Sequence, residues 1–245
     1  MFDIMKKRLS KILAEAGVAS RRAAEELIFQ GRIQVNKEVV LVPQTLVDPR
    51  EDSILVDGKP LILVEEKVYY LLNKPAGYIC SNKAASKTKL VLDLFEGEPY
   101  RLFTVGRLDK ETTGLLLVTN DGHFANRVIH PSSCIRKEYL AKTDCELSHE
   151  HLLAISEGTL VQGVFVKPLK VEKVRRGTLK ITIGEGKKRE VRLLLEAAGL
   201  NTLSLTRIAL GGLRLGNLPV GAWRPLSARE KRAIFAIKNE KKCPP

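Results

Sequence analysis

The chain has 245 residues, 44% of them hydrophobic, with a formal net charge of +13 and a pI near 9.7. That length holds one large domain or two modest ones, and the apolar content excludes a chain too polar to build a core. No run of about 18 apolar residues occurs and the first ten residues are heavily charged, so neither a membrane span nor a signal peptide is expected.

The charge is unevenly placed. Residues 1–60 carry 10 basic and 9 acidic side chains, residues 61–169 carry 13 of each, and residues 170–245 carry 18 and 6. A field of that kind favours a polyanion such as a nucleic acid. Cys80, Cys134, Cys145 and Cys243 form no CxxC pair and no metal-like spacing with the four histidines, and read as reduced thiols of a cytoplasmic protein.

Residues 6–37 make a basic unit with eight basic and three acidic side chains. Ser10 is placed to cap a helix over Lys11 to Ala16 that Gly17 stops, and Ser20 a second over Arg21 to Gln30 that Gly31 stops. Ala23, Ala24, Leu27 and Ile28 share one face of the second helix. Ile33-Gln34-Val35 alternates as a strand, and Asn36-Lys37 turns the chain. Lys7, Arg8, Lys11, Arg21, Arg22 and Arg32 surround these elements as candidate RNA contacts through phosphate; a helical hairpin with charged outer faces has the same pattern. Arg8-Leu9-Ser10-Lys11, Ala19-Ser20-Arg21-Arg22 and Gly31-Arg32-Ile33-Gln34-Val35-Asn36 resemble the S4 RNA-binding module. Asp57-Gly58, between Ser53–Val56 and Leu61–Val64, is a hairpin signal. Glu65-Glu66-Lys67 is the expected boundary, giving an S4-like domain and linker over 1–66 and a second domain over 67–245.

The second domain opens with a strand, Val68 to Asn73. Lys74-Pro75-Ala76-Gly77 follows as a turn whose lysine is placed to meet a phosphate or an acidic neighbour. Ala84 to Lys89 reads as a mobile basic loop and Leu90 to Phe95 as a helical turn. Leu102–Val105 and Leu115–Val118 read as strands, the second buried on both faces. Between them Asp109 sits on a short loop, with Arg107 and Lys110 beside it to keep it ionised. On spacing alone, a turn aspartate that caps backbone amides fits as well.

Asp121 is placed to cap a helix from Gly122 to Ile129. Lys137, Tyr139 and Ala141 share one face of a strand. Ser148 caps a helix to about Ser156, and Val161–Val166, Leu169–Val174 and Leu179–Ile183 read as strands. Gly184-Glu185-Gly186-Lys187-Lys188-Arg189 then leads into a helix, Glu190 to Ala198. Glycines and basic residues at a helix start make an anion site, without the spacing of an ATP-binding loop. Ser227 is placed to cap a terminal helix to about Asn239. Strands outnumber helices and hairpins join many of them, so an α+β domain with a mixed, mainly antiparallel sheet flanked by helices is expected.

Gly106-Arg107-Leu108-Asp109, followed by Thr113-Gly114-Leu115-Leu116-Leu117 and Thr119-Asn120-Asp121-Gly122, resembles the catalytic signature of the RsuA-type pseudouridine synthases, and the resemblance covers almost the whole chain. It implies that Asp109 is catalytic, that Tyr139 of Lys137-Glu138-Tyr139 contacts the target base, and that Arg192 pairs with Asp109. Arg107, Lys74, Lys187, Lys188 and Arg189 are the implied substrate contacts. Lys188 and Glu190 stand where asparagine and glutamine are commoner in that family, and Leu193 where a second basic residue often sits. The implied reaction isomerises uridine in ribosomal RNA, the large-subunit RNA slightly favoured over the small, with no metal or other cofactor, by a protein expected to be monomeric. A non-enzymatic RNA-binding or ribosome-assembly protein, and an RNA-directed hydrolase using Asp109 with water, are the competing readings.

Overall fold

The computed structural model describes residues 6–63, 66–81 and 88–236. The chain divides into two compact units, residues 1–67 with 99–101, and residues 68–98 with 102–245.

The first unit contains β1 (Lys7–Arg8), α1 (Leu9–Glu15), α2 (Arg21–Phe29), β2 (Ile33–Val35), β3 (Glu38–Val39), β4 (Leu46–Val47), β5 (Ile54–Val56) and β6 (Lys59–Pro60). β3-β2-β5-β6 form an antiparallel sheet, and β1 pairs with β4. Leu9, Ile12, Leu13, Ala24, Ile28, Ile33, Val47 and Ile54 pack into its core. Ser20 caps α2 as expected, accepting from the Ala23 amide at 3.2 Å. Ser10 does not cap α1: it is buried inside a helix that starts at Leu9. The carbonyls of Thr45 and Pro43 accept from the Leu9 and Ser10 amides instead, at 2.8 and 3.4 Å, so a distant loop satisfies the helix end. The hairpin at Asp57-Gly58 forms, both residues having positive φ, but its second strand is the short β6 directly after the turn.

The second unit holds β7 (Tyr69–Lys74), β8 (Phe103–Val105), β9 (Thr112–Thr119), α3 (Gly122–Ile129), β10 (Lys137–Thr143), α4 (His149–Glu157), β11 (Thr159–Val161), β12 (Val164–Val166), β13 (Lys170–Arg175), β14 (Thr178–Ile183), α5 (Glu190–Ala197), β15 (Thr202–Leu210), β16 (Leu213–Arg214), β17 (Trp223–Pro225) and α6 (Ala228–Ala233). One sheet runs β13-β14-β10-β15-β9-β7-β17, with β16 on β15 and β8 on β9. Only the β9–β15 pair is parallel, so the sheet is mixed and mainly antiparallel.

Leu115 to Val118 are buried on both faces, as their uninterrupted apolar run requires. Asp121 caps α3 through the His123 and Phe124 amides at 2.9 and 3.0 Å. The stretch 161–166 is a hairpin, not one strand, because Gln162 and Gly163 take positive φ and turn the chain. Gly114 is the one strand glycine whose identity the packing dictates. Its φ is +102°, and a Cβ there would lie 2.3 Å from the Arg207 carbonyl oxygen. Cys80 and Cys145 are free thiols. The basic loop expected up to Lys89 and the tail beyond 236 lie largely outside the described residues. Among the described residues no helix is long and apolar enough to cross a membrane.

Candidate active site

Asp109 sits between β8 and β9, on a loop that Gly106 opens with a φ of +71° and that Leu108 pins by burial. The Thr112 amide donates to the Asp109 carbonyl at 3.0 Å, the Gly77 amide to the Lys110 carbonyl at 2.9 Å, and the Leu108 amide to Cys80 Sγ at 3.5 Å.

Beneath the loop lies Lys74, at the end of β7 and 0% exposed. Its Nζ donates to the carbonyls of Pro75 (3.0 Å), Asp109 (3.2 Å), Lys110 (3.1 Å) and Thr112 (2.9 Å). Burial pulls its pKa down, and the attraction of Cys80, Glu111 and Asp109 pulls the other way. This corrects the expected role of Lys74 as a substrate contact: a fully buried ammonium spent on four carbonyls holds the loop and does not reach a ligand.

Asp109 lines a cavity of about 490 Å³, shared with Arg107, Lys110, Thr112, Tyr139, Leu205 and the 186–191 stretch. Tyr139, 7% exposed, is carried by β10 opposite Arg207 of β15 and Ile181 of β14. Lys187, Lys188 and Arg189 form the basic rim. Lys187 pairs with Glu185 at 3.4 Å, while Lys188 and Arg189 are exposed and carry no ion pair among the described residues.

Arg192 stands in the first turn of α5 with its Nη2 donating to the Glu111 carbonyl at 3.4 Å. Burial and repulsion from Arg189 lower its pKa, and attraction to Asp109 and Glu111 opposes them. Arg192 therefore feels the Asp109 charge, but among the described residues no ion pair within 4.0 Å joins them. The expected contact pairing is corrected to a longer-range one, because the guanidinium is drawn to the loop backbone two residues on.

The expectation of open amides at the start of α5 also fails. Glu190, 4% exposed, turns its Oε2 back onto the Gly186 and Lys187 amides at 2.9 and 2.7 Å. A carboxylate of the chain itself fills the site that an external anion would take, so only the side-chain charges of the rim remain available. Burial raises the pKa of Glu190 against the pull of those amides. Beside it Lys137 donates to the carbonyls of Ile135 and Gly184, each at 3.3 Å, and of Glu185, and burial pushes its pKa down to about 8.

In the first unit, Arg8, Arg21 and Arg22 are exposed as RNA contacts would be. The other three candidates are engaged. Lys7 and Lys11 pair with Glu15 at 2.8 and 3.8 Å, and Arg32 grips Asp57 with two bonds of 2.7 and 2.6 Å. Arg32 thus closes the hairpin loop over its own strand, which corrects its reading as a free phosphate contact.

Sequence reasoning missed Arg207. It is 4% exposed, with its Nε donating to the Leu115 carbonyl at 2.7 Å. Among the described residues four buried side-chain polar atoms lack a hydrogen-bond partner. Three of them, Thr112 Oγ1, Arg192 Nε and Arg207 Nη2, belong to residues that line this cavity or lie next to its lining. Folded proteins pair nearly all such atoms, so three gathered around one cavity set this region apart from the rest of the described core. The one clue in the sequence was an arginine in the otherwise apolar alternation of Leu205 to Leu210.

A fixed loop carrying a carboxylate, a tyrosine ring and a basic rim over a mixed sheet, in a chain whose small first unit exposes arginines on two helix starts, fit an enzyme that acts on a nucleic acid. Comparison with known proteins makes this specific. Residues 68–197 match the RNA pseudouridylate synthase family and residues 7–54 the S4 domain. A Bacillus subtilis protein named ribosomal large subunit pseudouridine synthase B is 38% identical, over 96% of this chain and 98% of that one. An Arabidopsis thaliana protein named putative ribosomal large subunit pseudouridine synthase SVR1, chloroplastic, is 45% identical over 95% of this chain, which spans 62% of its length. A crystal structure described as a pseudouridylate synthase superposes with a TM-score of 0.68 at 31% identity, covering 93% of this chain and 99% of that one. The chain belongs to the RNA pseudouridylate synthase family.

Proposed function

We propose that this protein isomerises specific uridines to pseudouridine in ribosomal RNA, that of the large subunit, with Asp109 as the catalytic carboxylate. In this reading residues 67–245 are the catalytic domain and residues 1–66 an RNA-binding domain, the protein works as a monomer, and its place is the cytoplasm, where ribosomes are assembled. The relatives named for the large-subunit reaction support the choice of RNA. The observation that carries the chemistry is a carboxylate whose loop is fixed from behind by Lys74 and which faces a cavity shared with Tyr139.

The reaction breaks the N1–C1′ bond, turns the base and joins C5 to C1′. Hydrolysis of a glycoside ordinarily needs two carboxylates, one to protonate the leaving group. Uracil leaves as a delocalised anion, so one suffices. Asp109 either attacks C1′ or takes the 2′ proton. Tyr139 holds the extruded base, Arg192 adds a favourable field at Asp109, and Arg107, Lys187, Lys188 and Arg189 receive the backbone phosphates. Extruding the base from folded RNA costs a few kcal/mol, which those contacts offset.

The test is Asp109→Asn. Pseudouridine formation should fall by at least about 10³-fold, the scale of losing a reacting group, while RNA affinity stays within about threefold. Retained turnover would refute the assignment. Free uracil as the wild-type product would mark a hydrolase instead. Mapping pseudouridines in ribosomal RNA from cells lacking the protein identifies the target, and an unchanged map would favour an assembly protein on the same scaffold.

A further inference from the structure

Arg207 is a buried cation that nothing in the reaction just described uses. It stands on β15 between Gly114 of β9 and Tyr139 of β10. Residues directly opposite across a sheet share a face, so Lys74, Gly114, Arg207 and Tyr139 form one row across four strands. The cavity lies on that face, since Thr112 and Leu205, paired two residues along the same strands and so on the same face, line it together with Tyr139. Gly114 contributes no side chain to the row, and Arg207, itself outside the cavity's lining, stands directly opposite the lining residue Tyr139.

The guanidinium is satisfied on one side only. Nε donates to the Leu115 carbonyl at 2.7 Å, while Nη2 is buried with no partner. Among the described residues no carboxylate lies within 4.0 Å of it. Its charge is felt by neighbours at the cavity: it favours the thiolate of Cys80, which lines the cavity, and opposes the charge of Lys137. A desolvated cation without a counter-charge is costly to fold, because the interior neither hydrates nor neutralises it. The same lack of screening makes it an effective source of field for any negative charge that forms above it.

We propose that Arg207 is a positioning residue for the departing base: its fixed positive charge stabilises the uracil anion that forms when N1–C1′ breaks. This rests on the pseudouridine synthase reading. When that bond breaks, its electron pair leaves with the base and spreads over N1, O2 and O4. C1′ either bonds to an Asp109 oxygen or is relieved by loss of the 2′ proton to Asp109. After the base turns, C5 supplies the pair to C1′, Asp109 is released or returns its proton, C5 gives up its proton to solvent and N1 takes one. Atoms and electrons balance, with no co-reactant. The anion exists between the first and last steps, and during that interval the charge of Arg207 stays fixed behind the cavity wall, opposite Tyr139.

The experiment measures single-turnover loss of the N-glycoside, by mass spectrometry, in full-length protein with ribosomal RNA transcribed with uridine or with 5-fluorouridine. Fluorine withdraws electron density and makes the base a better leaving anion, so it relieves the need for an external charge. For Arg207→Met the rate on uridine RNA should fall by about 10²-fold, the scale of losing a transition-state electrostatic contact. On 5-fluorouridine RNA the deficit should be less than about tenfold, with RNA affinity unchanged. Arg207→Lys keeps the charge and should recover most of the loss. Equal deficits on the two RNAs would show that Arg207 only supports the fold, and an undiminished rate would show that it does neither; either result overturns the proposal. Absence of wild-type turnover on uridine RNA would instead sink the reading on which it rests.

Discussion

The ammonium of Lys74 shows how one side chain changes meaning between sequence and fold. In the sequence it precedes a proline and reads as a candidate for phosphate. In the structure β7 and β9 pair Lys74 with Gly114, and the chain returns so that the carbonyls of Asp109, Lys110 and Thr112 converge on its Nζ. Those acceptors are 35 to 38 residues away, out of reach of any local pattern. Arg207 was hidden for the same reason, its acceptor at Leu115 being 92 residues back. Asp109 was legible because its own surroundings, a short turn between apolar strands and a long gapless signature, carry the information. Lys74→Met keeps the volume and removes the donor, leaving buried carbonyls unpaired at about 1–3 kcal/mol each before relaxation. The expected result is a lower Tm and a fall of about 10²-fold in turnover, as a loosened Asp109 loses its aim, with RNA affinity nearly unchanged. Turnover within about threefold of wild type would mean that the loop holds itself.

At the scale of elements, the termini decided how well the sequence could be read. Helices capped by their own side chains, such as α3 at Asp121, α4 at Ser148 and α6 at Ser227, begin where the capping residue says. α1 does not, because the 43–45 loop supplies its acceptors. α5 starts at Glu190 as expected, yet the same residue closes the amide site that the glycines seemed to offer. α6 carries a testable electrostatic anchor. Glu230 receives two bonds from Arg224, of 2.6 and 3.1 Å, and one each from the Ser227 amide and hydroxyl. The Arg224 bond, ahead of the others, pulls its pKa down to about 2 from an ordinary 4.5. A carboxyl with a depressed folded-state pKa adds stability that is complete above the unfolded value and disappears as pH falls through the folded one. Wild type should therefore exceed Glu230→Gln by roughly 1–2 kcal/mol at pH 6, a figure reduced for partial exposure. The difference should shrink between pH 4.5 and 2, as denaturant titration would show. A gap that is constant across that window would mean that the carboxylate's charge plays no part.

Across the whole molecule, the net charge of +13 pointed to a polyanion, and the structure shows which of the cations are committed to carboxylates of the chain itself. In the basic last third, Lys170 and Lys180 share Glu172, Lys173 and Arg176 share Glu146, Arg214 pairs with Glu138 and Arg224 with Glu230. In the first unit Lys7, Lys11 and Arg32 are likewise committed to carboxylates. Totals of charge are legible in a sequence, whereas pairings between distant strands are not. Of the six candidate phosphate contacts in the first unit, Arg8, Arg21 and Arg22 remain without an ion pair, exposed on the start of two helices. Each phosphate neutralised contributes a slope of about −0.7 to −0.9 in log K against log salt. Deleting residues 1–60 should therefore weaken RNA binding and flatten that slope by roughly 2–3 units, not by the larger amount that six contacts would give. Filter binding across a range of salt concentrations reads the slope directly. An unchanged slope would remove the first unit from the RNA interface, and a loss of five or more would mean that RNA breaks the pairs at Glu15 and Asp57 and recruits their cations.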